Sequence, residues 1–440
     1  MEKNPIRQTP WLLLVVTGFM VVYFLFADFD IRYMYVYFML GALLCVNVGL
    51  SGIKKLVLSP YKKLFICLAA VCAAFSVLPQ ADLSHLSMSL TISMLTFTAY
   101  FMFMEPGEGQ IELSFKIIQA AGIVFALYVL FVQTWPDFYW DNIYPCLAPS
   151  VQETAATFMP QGYGVPIGGS TIYASYVLTL GLIINLSCAL KPGMIQGKKE
   201  WAYTALTSAL YFTAIMTINR RTELIAMGCT MAVLFVCSLL SKNEKNLKAK
   251  FLGLGVVLAA AAVISFILAE IGFMDRHMNT LESIGQIGED GVANDITSGR
   301  LALWVKAIQL FLQKPVLGIG WQQFAAQDKY NHNVHNTYLQ WLCETGVVGF
   351  VLIFVPIFVM AVLTLQQAYK LSCQRASAKV RMINFVSLGM QAFLAICNLV
   401  DPAFYHLNYF CFYSFTMILA HYAHLKGKQE LQLLNKENEQ

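Results

Sequence analysis

The stretch NHNVHNTYLQWLCETG at residues 331–346 holds two histidines, three asparagines and a glutamate, and an apolar run follows it directly. His335 is the group with catalytic chemistry to offer. An imidazole titrates near neutral pH and can take a proton from a hydroxyl. His332 lies three residues earlier, so the two histidines share one helical turn in the spacing of a metal pair. No third ligand of the right kind stands nearby, and a zinc site needs at least three protein ligands. The reading is therefore no metal, with His335 as a general base and His332 as a bystander. Glu344, at the end of the stretch, can orient a base, pair with an arginine or cap the next helix.

Arginines supply the second kind of chemistry. Arg220 and Arg221 sit in TINRRTELIAMG, at the joint between two apolar runs. Guanidinium forks match phosphate oxygens in a bidentate way and stay charged. Charges at the membrane edge with no topological reason point to function. The plainer reading is snorkelling, or a local ion pair between Arg220 and Glu223. Arg300 opens RLALWVKAIQLFLQKP, where a helix start and a guanidinium together make an anion site. Aromatic residues crowd the same side of the chain: Trp135, Phe138, Tyr139, Trp140, Tyr144 and Tyr163 in one loop, and Trp304, Trp321 and Trp341 in another. They read as an interfacial belt or as platforms for sugar rings.

Apolar elements must position these groups. The chain has 440 residues, 58% hydrophobic and only 12% charged, against about 25% charged in a soluble domain. That composition is polytopic and all-α, and long apolar runs recur at the length needed to cross a bilayer. Twelve spans are expected, at 11–27, 33–51, 64–79, 86–104, 115–133, 170–190, 201–219, 222–240, 251–273, 347–368, 382–400 and 405–424. The first reads as a retained span, since no small-residue cleavage site follows it. With both termini in the cytoplasm, 21 of the 29 basic residues fall inside. Two outer connections are long, 134–169 and 274–346, in what reads as a single transmembrane domain over 1–440. Within the second, apolar residues at 301, 304, 305, 308, 311 and 312 form a helical stripe, with Ser298 as cap and Pro315 as stop. This helix is too short to span and is expected along the outer interface. The eleven cysteines give no framework. Most lie in apolar runs and behave as small hydrophobes, and only Cys146 and Cys343 look placed outside the membrane. The net charge of +4 falls in short clusters and carries no nucleic-acid signal.

The order of residues over about 298–350 resembles the shared region of the O-antigen ligase and O-antigen polymerase superfamily. Its elements stand here as Arg300, Leu303-Trp304, Pro315, Gly318-Ile319-Gly320, His335-Asn336-Thr337-Tyr338-Leu339 and Glu344-Thr345-Gly346. Upstream, RRTELIA is similar to the family's serine-arginine start of a span. Arg221 holds the arginine position and Arg220 replaces the serine, so either arginine is a candidate for the phosphate. The family-like region extends over about 205–365.

The resemblance implies a GT-C-like glycosyltransferase of the bacterial inner membrane, with its site on the periplasmic face and no cofactor or metal. The donor would be a glycan on undecaprenyl pyrophosphate. The acceptor would be a hydroxyl of lipid A-core, of a growing glycan or of a protein. His335 would be the base, transferring with inversion. Arg220, Arg221, Arg300, Asn336, Glu344, Trp304 and Tyr338 would bind pyrophosphate and glycan. A ligase is favoured over a polymerase or a protein O-oligosaccharyltransferase, because the large loop between spans nine and ten matches the ligase layout. A flippase is the rival from another class. Transporters place polar groups near the bilayer midplane, whereas here they gather at the outer rim.

Overall fold

The computed structural model describes residues 10–22, 39–46, 58–77, 85–191, 193–240, 255, 300–327, 332–374, 376–401, 404 and 407–438. Every element among these is helical, and no strand occurs among the described residues. The helices are α1 (Pro10–Val22), α2 (Pro60–Ser76), α3 (His85–Phe103), α4 (Glu108–Thr134), α5 (Pro149–Phe158), α6 (Thr171–Leu190), α7 (Lys198–Ile218) and α8 (Arg221–Leu239), followed by α9 (Arg300–Gln313), α10 (Gln323–Ala326), α11 (Thr337–Cys373), α12 (Ala378–Cys397) and α13 (Leu407–Asn438). Five of them, α4, α6, α8, α11 and α12, are long and apolar enough to cross a membrane. Other expected spans fall on α1, α2, α3, α7 and α13. The one expected at 251–273 lies outside the described residues apart from residue 255, as do Ser298 and most of the connection before Arg300.

Helix α6 is the axis of the bundle. It is buried on nearly every side and packs against α4, α7, α8 and α12. Two glycines let α7 come close. A Cβ at Gly122 or Gly181 would meet the Tyr211 ring at 3.0 or 2.8 Å, so the ring lies flat against α4 and α6. Its hydroxyl donates to the Gln119 carbonyl at 2.7 Å. Asn185 joins the same three helices, accepting from Gln119 and donating to Thr207 and Ser208. In a bundle where lipid is as apolar as the core, small residues and interhelical amides are what hold helices together. The outer surfaces of α4, α8 and α11 carry exposed Val124, Leu127, Ile225, Val236, Val351 and Phe358, an apolar girdle.

Helix α11 explains the glycine-rich turn. It breaks at Gly346, where φ is 65° and ψ −172°. The break frees the carbonyls of Cys343 and Glu344, which accept from the N–H groups of Ile319 and Gly320 at 2.9 Å each. In return Val347 donates to the Pro315 carbonyl at 2.8 Å and Val348 to Val316 at 3.2 Å. The two backbones touch. A Cβ on Gly318 (φ 73°) would lie 2.3 Å from the Glu344 carbonyl, and one on Gly346 would lie 2.3 Å from that of Val316. Only glycine fits at both places. The span expected from 347 therefore begins after the break. Residues 337–345, expected as loop, form a preceding helical segment because the Asn336 side chain caps it, accepting from the Leu339 N–H at 3.0 Å.

Helix α9 lies where the sequence places a short interfacial helix, but its apolar stripe serves two faces. Trp304 and Phe311, with Leu303 and Leu310, pack on a small core of Ala307, Ile319, Phe324, Val334 and Cys343. Leu301, Val305, Ile308 and Leu312 form a separate, exposed row at helical spacing. That row is the face an interfacial helix turns to lipid.

Candidate functional site

One carboxylate gathers the sequence-predicted groups. Asp401 lies beyond the end of α12 and is 5% exposed. Its Oδ2 faces Arg220 Nη2 at 3.3 Å, and its Oδ1 faces Arg300 Nη2 at 3.4 Å and His335 Nδ1 at 3.7 Å. The contacts come from four separate parts of the chain, all at one end of the bundle.

Each arm is held by its own local structure. Asn219 ends α7 in the left-handed region (φ 63°) and donates through its side chain to the Gly162 carbonyl at 2.9 Å. Gly164 N–H donates to the Thr217 carbonyl at 3.0 Å, so the connection at 134–169 braces the joint that presents Arg220. Arg220 Nε donates to both Glu223 oxygens at 3.4 Å, which is the local ion pair foreseen in the sequence. Arg300 is the first residue of α9. His335 takes φ 53°, a left-handed conformation costly for a residue with a Cβ. Its neighbours fix it there. Val334 is buried and donates to the Gln340 side chain at 3.3 Å, while Thr337 N–H donates to the Asn398 carbonyl at 2.9 Å. The Thr337 hydroxyl also donates to the Asp401 carbonyl at 3.2 Å, which ties the His335 loop to the Asp401 loop.

Burial would push the Asp401 carboxyl up, but His335, Arg220 and Arg300 outweigh it and hold the group below the usual carboxylate range. Burial likewise opposes the Arg220 charge, and Glu223 and Asp401 reverse that, so the guanidinium is held protonated more firmly than a free one. The site is thus two guanidiniums, an ionised carboxylate and an imidazole. Exposures rise from 5% at Asp401 through 14% at Arg220 and 21% at Arg300 to 35% at His335. The imidazole is the most accessible of the four groups.

The remaining nominated residues are placed differently. Glu344 is buried and accepts from the Gln322 N–H at 2.8 Å, the Phe324 N–H at 3.2 Å and Gln340 Nε2 at 3.2 Å. It caps α10 and steadies Gln340, so it reaches His335 only through the loop that Gln340 holds. Asn336 is the cap of α11. Tyr338 donates to the Ala395 carbonyl at 2.9 Å and packs edge-on to Trp341. Trp304 packs on the α9 core, with a buried indole N–H that makes no hydrogen bond among the described residues. Arg221 is the first residue of α8, and the guanidinium that reaches Asp401 is that of Arg220. His332 is exposed, and no group of three metal-binding side chains occurs among the described residues. In the connection at 134–169, Tyr139, Trp140 and Tyr144 pack on one another, Trp140 and Tyr144 with ring centres 4.7 Å apart, while Trp135 and Phe138 are exposed. Cys146 and Cys343 are both free, the second buried.

Asp401 itself was not among the residues singled out, because Asp401-Pro402 reads in the sequence as a tight joint between spans. The signal that finds it is topological. With twelve spans it falls on the same face as both arginines and His335, and an acid there has cations to meet.

Much of this region matches a known protein family. Residues 206–354 match the O-antigen ligase family model. That family comprises glycosyltransferase-like ligases and polymerases. The O-antigen ligase-type region includes Arg220, Arg300, His335 and the interlocked Gly318 and Gly346, and it ends before Asp401. A comparison with curated proteins finds no match. The match covers about a third of the chain, and five helices among the described residues are long and apolar enough to cross a membrane.

Proposed function

We propose that the protein is an inner-membrane glycosyltransferase that moves a glycan from undecaprenyl pyrophosphate to an acceptor hydroxyl on the periplasmic face, with lipid A-core as acceptor. On this reading the chain is a single GT-C-like domain of twelve spans, and the loops 134–169 and 274–346 form its outer surface. The observation that carries the reading is the convergence of Arg220, Arg300 and the accessible His335 on buried Asp401. Phosphate needs cations, hydroxyl attack needs a base, and a lipid-linked donor needs both at the edge of the bilayer.

The chemistry divides among the residues as follows. Each guanidinium has five N–H donors, and only part of each set faces Asp401 and Glu223, so both forks keep donors for pyrophosphate oxygens. Asp401 beside Nδ1 favours the tautomer with its proton there, which leaves Nε2 as the accepting atom. The acceptor oxygen forms a bond to the anomeric carbon on the face opposite the leaving group. The bond from that carbon to the pyrophosphate oxygen breaks, its electron pair leaves with undecaprenyl pyrophosphate, and the hydroxyl proton goes to His335. Inversion follows from in-line displacement. Pyrophosphate is a competent leaving group, so positioning and charge stabilisation supply most of the acceleration.

The test is transfer in vitro by the purified chain, with an undecaprenyl-pyrophosphate glycan and lipid A-core. Product from wild type and none from His335→Ala is expected. Undiminished product from His335→Ala removes the base assignment. Product with a glycan or protein hydroxyl, and none with lipid A-core, moves the acceptor. Flipping of the donor with no transfer to any acceptor removes the enzyme reading.

A further inference from the structure

A cavity lies at the end of the bundle away from Asp401. Helices α2, α11 and α13 enclose about 320 Å³ there. Helix α12 separates this end from Asp401, and its 20 residues measure about 30 Å at 1.5 Å per residue. The cavity is lined by Lys370, His424 and Lys428, by the apolar Leu363 and Ala423, and by buried Tyr61 and Leu371 at its base.

The base is built rather than incidental. Tyr61 donates to Gln367 Oε1 at 3.2 Å, and Gln367 Nε2 donates to Asn384 Oδ1 at 2.8 Å and to the Ala420 carbonyl at 3.2 Å. This network joins α2, α11, α12 and α13. The His424 ring stands edge-on to Tyr61, with centres 6.0 Å apart. Lys370 and Lys428 act on that ring electrostatically, so three basic groups share one small space. Neither ammonium has an ion-pair partner among the described residues. The nearby acid Glu430 is turned to Ser377, accepting from its N–H at 2.8 Å and its hydroxyl at 2.9 Å.

Cations held together without an acid repel one another, and an anion relieves that cost. The apolar wall selects which anion. On α11, Leu363 lies two turns, about 10 Å, deeper than Lys370, so the cavity runs from an apolar wall to a basic rim. That gradient fits an amphiphile and leaves a free ion with half the wall unused. We propose that this cavity binds the phosphate of an anionic phospholipid, with the headgroup at Lys370, Lys428 and His424 and an acyl chain against Leu363. Basic pockets between helices at a membrane surface hold such headgroups. The proposal concerns a site apart from the transfer reaction and does not depend on it.

The test uses the full chain in nanodiscs of phosphatidylcholine with or without phosphatidylglycerol, and reads retained lipid by native mass spectrometry after extraction. Wild type is expected to retain phosphatidylglycerol in preference to phosphatidylcholine. Lys370→Ala/Lys428→Ala should lower that retention roughly 30-fold, at about 1 kcal/mol per basic side chain. Lys370→Arg/Lys428→Arg should keep it and shows that the fold tolerates change at both positions. Equal retention by wild type and the alanine double variant overturns the proposal. Inorganic phosphate supplies the second arm. If it raises the melting temperature of wild type but not of the double variant, and phosphatidylglycerol shows no preference, the ligand is a soluble phosphate and the lipid assignment fails.

Discussion

Two carboxylates, buried Asp401 and half-buried Glu105, each sit with a histidine and a cation at different levels of the same bundle. Glu105 lies between α3 and α4. It accepts from Lys62 Nζ at 2.7 Å and meets His421 Nε2 at 3.2 Å, while His421 Nδ1 meets the Ser59 hydroxyl at 2.8 Å. Lys62 is fully buried and also donates to the carbonyls of Met102 and Met104 at 3.0 Å each, so all three ammonium donors are used. At Asp401 the contacts run from 3.3 to 3.7 Å, and His335 is partly open. Similar groups thus make a tight, saturated cluster in one place and a looser, more open one in the other. Short, saturated contacts hold helices together, and the longer contacts at Asp401 leave its guanidiniums and imidazole less tightly engaged.

The sharpest way to break this contrast is to remove each histidine. His335→Ala should lower transfer by about 10²–10⁴, the usual worth of a general base, and leave the melting temperature within a degree or two. His421→Ala should do the reverse, lowering the melting temperature while each folded molecule keeps its rate. A large thermal loss from His335→Ala, or a catalytic loss from His421→Ala in folded protein, would erase the distinction. Next in size is Lys62→Met, which strands Glu105 beside His421. Removing one partner of a buried pair costs about 3–5 kcal/mol. Thermal unfolding in detergent measures it, and Arg300→Met at the looser cluster should cost much less.

Three of the four groups in the Asp401 cluster were legible as residue types, and the carboxylate that gathers them was not. His335, Arg220 and Arg300 were legible because an imidazole and guanidiniums at the edge of apolar runs have few structural duties. Asp401 was not, because an Asp-Pro pair is also an ordinary helix joint and nothing local says which cations will face it. Glu344 shows the converse. A buried carboxylate beside a candidate base suggests chemistry, yet the helix break at Gly346 turns it toward the Gln322 and Phe324 N–H groups. The Glu105 cluster was not legible, since Lys62 reads as a topology charge and His421 lies inside an apolar run. All-helical architecture was readable throughout, because apolar length alone sets it. The partition of the α9 stripe into packed and exposed rows was not, because both rows are equally hydrophobic.

The interlocked glycines give the third test. Gly318→Ala adds a Cβ that must displace the Glu344 backbone and occupies a left-handed φ, at a cost of about 1–3 kcal/mol for the backbone conformation alone. Because the Glu344 carbonyl and carboxylate also hold Gly320 and Gln322, the displacement should reach the His335 loop. Stability and transfer should fall together, and a variant that loses stability but keeps its rate would show that the turn does not position His335.

Asp401→Asn gives a smaller effect and separates positioning from charge. Losing the charged partner of His335 and both arginines removes hydrogen bonding worth about 1.5–3 kcal/mol, so transfer should fall roughly ten- to a hundredfold. The pH dependence carries the sign. Asp401 is held below the usual carboxylate range by its cations, so the folded state binds its proton less readily than the unfolded chain. Its contribution is therefore complete above the unfolded value of about 3.9 and is lost as pH falls through the lower folded value. Glu105, also held low against its own burial by His421 and Lys62, loses its contribution in the same acid window. Wild type should destabilise below about pH 4, and Asp401→Asn should flatten only part of that slope, because the Glu105 cluster still titrates. If the variant leaves the acid limb of the melting curve unchanged, folding does not shift the Asp401 carboxyl, and its pairing with Arg220, Arg300 and His335 carries no stabilisation.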